Sequence, residues 1–180
     1  TDRKWVMYRD TNDDLAFYNN ASSGERVRFL DAGGITFGGE TAAAHALDDY
    51  EEGAWTPTIE STGTHPTVAY QYQSGYYIKI GNMVYVRFGM RISTISGGSG
   101  IVEVGGIPFN SKSYGSYQQP ASFVNAQNLT QDPDGPVLFY CVDGTGRLQG
   151  RLMTNADTGL PISHFQAGTW CIGNHTFDVS

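Results

Sequence analysis

From Trp55 to the end of the chain, short apolar stretches recur about every ten residues, each closed by glycine, proline, asparagine or aspartate. The clearest are "GYYIKI", "MVYVRFGMRIS", "GIVEVGGIPF", "PVLFYCVD" and "GTWCIGNHTFDVS". That rhythm predicts an all-β domain of the sandwich or jelly-roll kind. Within it, Val84, Val86, Phe88, Met90 and Ile92 alternate onto one face, which is assigned to the core. Gly81-Asn82 predicts a two-residue hairpin turn, which places Ile80 opposite Met83 and Ile78 opposite Tyr85. The outward face then carries a second apolar stripe where a solvated sheet would carry charge. Ile78, Ile80, Met83 and Tyr85 are therefore the candidate subunit interface, since the sequence offers no spare helix to cover them.

Residues 1–40 follow a different pattern. "KWVMYR", "LAFYN", "RVRFLD" and "GITFGG" are strand-like but very short, separated by "DTNDD" and "NNASSGE". Pieces of this size need partners, and identical chains wound about an axis would supply them. Residues 41–54, "TAAAHALDDYEEGA", hold the one stretch that favours helix, with Thr41 as N-cap and Gly53 as terminator. Asp48, Asp49, Glu51 and Glu52 fall at its C-terminal end, where they oppose the helix dipole. Expected organisation is a shaft-like β segment (1–40), a short helical joint (41–54) and a β-sandwich head (55–180).

Composition narrows the classes of function. The 180 residues carry a net charge of −7, which repels nucleic acid and anionic membranes unless a basic patch overrides it, and no such patch is visible. No apolar run is long enough for a membrane span or a signal-peptide core. The native N-terminus is expected upstream of Thr1. Cys141 and Cys171 are expected to be reduced, buried thiols.

Three stretches, "ALDDYEEGAWTPTI", "GYYIKIGNMVYVRF" and "GGIPF", occur in an order that resembles the C-terminal heads of tailed-bacteriophage tail fibres. The segment "WVMYRDTNDDLAFYNNASSGERVRFLDAGGITFGG" is similar to the shafts that precede such heads, and the resemblance spans most of residues 4–110. Ala54 stands where threonine is more usual. The resemblance implies a homotrimeric virion adhesin that contacts a host-surface polysaccharide or lipopolysaccharide and attaches to upstream fibre or tail proteins. It carries over no ligand-contacting residue. In that reading the acidic joint sits near a threefold axis, solvated or paired with Arg26, Arg28 or Lys79 rather than bridged by a cation.

Sugar recognition uses aromatic faces beside Asp, Asn and Gln. Two loop-like stretches combine them, giving Tyr114, Tyr117, Gln118, Asn128, Gln131, Asp132 and Asp134 as ligand-binding candidates. "DPDG" is otherwise ordinary turn chemistry. His45, His65, His164 and His175 lack zinc-ligand spacing and are expected on surfaces or in turns. With no nucleophile motif and no dinucleotide fingerprint, neither a catalytic residue nor a cofactor or metal is expected. A fibre protein without receptor contact and a non-viral carbohydrate-binding module are the alternatives.

Overall fold

The computed structural model describes residues 4–115, 121–130, 136–152 and 158–179, and among these the protein is all-β with no α-helix. The chain packs as two units, residues 1–50 and 51–180.

The first unit is an antiparallel four-stranded sheet in sequence order: β1 (Trp5–Arg9), β2 (Leu15–Asn19), β3 (Gly24–Phe29) and β4 (Ile35–Phe37). One face is polar and buried. Arg28 donates from Nη1 to Asp14 Oδ2 at 2.7 Å and also reaches Asp10, while Nε and Nη2 grip Glu25 at 2.7 and 2.6 Å. Ala16 and Thr36 complete this interior. The other face is apolar and open. Met7, Phe17, Val27 and Phe37 stand in one cross-strand row, with Leu15, Phe29 and Ile35 in the next. Met7 is 64% exposed and Phe37 61%.

The predicted helix does not form. Ala43–His45 is a single 3-10 turn, its preceding residue Ala42 makes no side-chain cap, and Tyr50–Trp55 is strand β5. A run of helix formers this short is marginal in water, and tertiary pairing outweighs it. Leu47 bridges Ile35 through two backbone hydrogen bonds of 3.1 and 2.8 Å, which holds the chain extended before β5 begins. The boundary between units, after Tyr50, lies inside the predicted joint. Arg28 is likewise not a partner for the acidic joint, because it is fully engaged by Asp10, Asp14 and Glu25.

The second unit is one ten-stranded sheet that curls on itself. Besides β5 it contains β6 (Thr58–Ser61), β7 (Thr67–Ile80), β8 (Met83–Ser96), β9 (Val102–Gly105), β10 (Ala121–Gln127), β11 (Val137–Cys141), β12 (Leu148–Leu152), β13 (Thr158–Gly159) and β14 (Trp170–Asp178). Their order is β5-β7-β8-β14-β10-β11-β12-β9-β6, with β13 on β12. Strand β10 makes the curl: Ala121, Ser122 and Phe123 pair with β11, and Val124 to Gln127 pair with β14. The two halves close over a core of Val84, Val86, Phe88, Met90, Phe139, Leu148 and Phe177, each at most 3% exposed. The β7-β8 hairpin has the expected register, with Gly81 at φ 55° in its turn.

The "EEGAW" and "GYY" stretches interlock through reciprocal glycines. A Cβ at Gly75 would fall 2.5 Å from the Trp55 indole, and one at Gly53 would fall 2.7 Å from the Tyr77 hydroxyl. Gly53 therefore makes room for Tyr77, which donates to Glu51 at 2.5 Å; it ends no helix. Phe109 of "GGIPF" packs edge-on against Tyr77 at 4.9 Å, so all three motifs meet at one corner. Cys141 and Cys171 are unpaired thiols, and burial pushes them up to about 11 and about 12.

Candidate functional site

Strands β7, β8, β14 and β10 present a broad outer face, and its composition changes row by row. Alternation sends Cys171, Gly173, His175 and Phe177 inward and Trp170, Ile172, Asn174 and Thr176 outward. On β10, Val124 points inward while Phe123 and Asn125 point outward. Cross-strand register aligns Ser74 of β7 with Gly89 of β8, Ile172 of β14 and Asn125 of β10. Ser74 is small and Gly89 is the smallest outward residue of β8, so the face is hollowed along this row.

The hollow is a trough of about 780 Å³, open to solvent. Tyr72 stands on one side; Tyr76, Arg87, Asn174 and Phe123 stand on the other. Phe123 is 71% exposed, an unusual state for a phenylalanine on a regular strand. The Tyr72 ring leans over Gly89, where a Cβ would come within 3.1 Å of it. Arg87 stacks on Tyr76 with its guanidinium 4.9 Å from the ring centre, and the Tyr76 hydroxyl donates to Glu52 at 2.8 Å. Flat apolar rings beside amide and guanidinium groups suit the C–H faces and hydroxyls of sugar rings.

Of the sequence-predicted residues that are described, Tyr85 lines the trough and the others fall elsewhere. Ile78 and Tyr85 are half-buried, and Ile80 and Met83 lie exposed at the hairpin end of the same outer face. Tyr114 is exposed, but its hydroxyl donates to Asp178 at 2.8 Å and Lys112 covers its ring at 5.5 Å. That hydrogen bond raises the Tyr114 phenol above its ordinary range. Asn128, at φ 57°, is a loop brace: its amide donates to Ala167 at 3.1 Å, and its carbonyl accepts from Gln166 and Thr169. Tyr117, Gln118, Gln131, Asp132 and Asp134 lie outside the described residues.

One histidine departs from the surface or turn position expected for it. His175 is 1% exposed in the core, because it holds an inward position on β14. Ser122 contacts its Nδ1 at 2.8 Å, its Nε2 has no partner among the described residues, and burial pushes the imidazole down to about 4. Among the described residues no group of three or more His, Cys, Asp or Glu is placed to hold a metal ion.

The trough was not legible beforehand, because its walls come from residues about 100 positions apart and only the ladder brings them together. The signal that was present is the outward series Trp170, Ile172 and Asn174, too apolar for a solvated strand. Comparisons with family models, with curated proteins and with solved structures find no match.

Proposed function

We propose that this protein is a non-enzymatic adhesin of the tailed-phage fibre type, a homotrimer that attaches a virion to a host-surface glycan through its curled β-sheet head. The observation that carries the reading is the contrast between the two units. The head has a complete apolar core, whereas among the described part of residues 1–50 Ala16 is the only buried hydrophobic, and Trp5, Met7, Leu15, Phe29 and Phe37 are exposed. A sheet built this way needs continuous cover, and further copies of the same chain are the usual source. Such a unit joined to a self-sufficient head fits the shaft-and-head organisation that the three sequence motifs imply. In a trimeric, sandwich-like head, the hairpin-end stripe of Ile78, Ile80, Met83 and Tyr85 would add to the contact. The aromatic trough supports receptor contact over a purely spacing role.

Light scattering after size exclusion tests the assembly. The expected mass is about three times the 19.6 kDa chain, persisting on dilution. Met7→Asp with Phe37→Asp should dissociate it while the head stays folded. A wild-type monomer would overturn the fibre reading.

A further inference from the structure

We propose that the trough takes an acidic saccharide, one whose sugar rings carry carboxylates, an assignment that rests on the adhesin reading above. Arg87 and Arg91 lie four residues apart on β8, both exposed on the outer face. That spacing sets them about 13 Å apart along the strand. Gly89 between them leaves the trough floor open, and Arg91 is paired across strands with both Tyr72 and Trp170.

Their surroundings make the arrangement informative. The chain has 18 carboxylate side chains to 11 lysines and arginines, so anions to neutralise these groups are plentiful. Arg9, Arg28 and Arg147 each have carboxylate partners. Arg87 and Arg91 have none among the described residues. Among the described residues no carboxylate lines the trough; at its rim Glu52 accepts from the Tyr76 hydroxyl. Arg87 is instead braced by the Tyr76 ring, which orients a planar fork suited to bidentate carboxylate binding.

Rings and cations together point to a saccharide rather than a simple anion. Tyr72 and Phe123 offer flat surfaces on opposite sides of the trough, and Asn125 and Asn174 supply a donor and an acceptor each for ring hydroxyls. A nucleic acid fits less well, because two arginines on a chain of net charge −7 give little for a phosphate backbone.

The test uses the full chain and follows arginine Nε–H signals by NMR during titration. Probes are tetragalacturonate and tetramannuronate, with maltotetraose as the neutral control and a short oligothymidylate as the alternative polyanion. Expected is uronate binding that shifts the Arg87 and Arg91 signals and weakens as salt rises. Arg87→Gln and Arg91→Gln should each lower affinity about tenfold or more, with Arg→Lys recovering part of it. Both arginines are exposed, so thermal unfolding should be unchanged.

Maltotetraose binding as tightly as the uronates, unaffected by Arg87→Gln, would overturn the acidic assignment and leave the adhesin reading standing. Tighter binding of oligothymidylate would overturn it in favour of a nucleic-acid ligand. Absence of saccharide binding would overturn both, and hydroxyl-radical protection of Phe123 and Tyr72 in the unliganded protein would then identify the trough as a surface between copies.

Discussion

At Gly75 one hydrogen atom decides whether Trp55 packs. The indole lies where a Cβ would be, and it also meets Phe88 edge-on at 6.2 Å and donates from Nε1 to the Tyr76 carbonyl at 3.3 Å. Gly75→Ala should therefore lower head stability by about 1–3 kcal/mol in chemical denaturation, the usual range for overpacking. Tyr77→Phe, which removes only the bond to Glu51, should cost about 1 kcal/mol. His175 gives a pH dependence of definite sign. Its ordinary value of 6.5 falls to about 4 on folding, so only the unfolded chain gains a proton as the pH drops through this interval. Head stability should be flat above pH 6.5 and decline by roughly 3 kcal/mol toward pH 4. His175→Phe should flatten that part of a plot of denaturant midpoint against pH. The burial of His175 was not readable in advance, because a histidine in an alternating strand is compatible with either face until a neighbour such as Ser122 is known.

At the scale of elements, the hairpin was fully legible and the joint was not. Gly81-Asn82, flanked by alternating residues, needs no distant partner to set its register. The alanine-rich joint was misread because intrinsic propensity is weak and its competitor, the Ile35–Leu47 bridge, lies 12 residues away. The Arg28 cluster organises the sheet of residues 1–50 and makes its own prediction. Arg28 holds the Glu25 carboxyl below its ordinary range; burial raises Asp10, but the Asn12 amide and Arg28 outweigh that and lower it. Stability from these groups is present above the ordinary carboxylate range and is lost as acid protonates them through their lowered values. Limited proteolysis should therefore show residues 1–50 opening below about pH 4. Arg28→Met should open the same segment at neutral pH, because three carboxylates then face one another without a cation.

For the whole molecule, the distribution of core sets what folds alone. Every member of the buried apolar cluster lies at Trp55 or beyond. A fragment of residues 51–180 should unfold cooperatively on heating. A fragment of residues 1–50 should give the circular dichroism of an unfolded chain, because its sheet buries ions on one face and leaves the apolar face to water.

Alternation of apolar and polar positions, closed by turn residues, was enough to establish an all-β chain, the inward face of β8 and the β7-β8 register, because these depend on neighbours in sequence and on the two-residue period of a strand. The strand order, the curl through β10 and the burial of Arg28 depend on which distant strands pair. Alternation is the same for every such pairing, so only the tertiary structure chose among them. The trough belongs to that second group: Ser74, Gly89, Ile172 and Asn125 are unremarkable in sequence, and they make a hollow only where hydrogen-bonded ladders set them side by side.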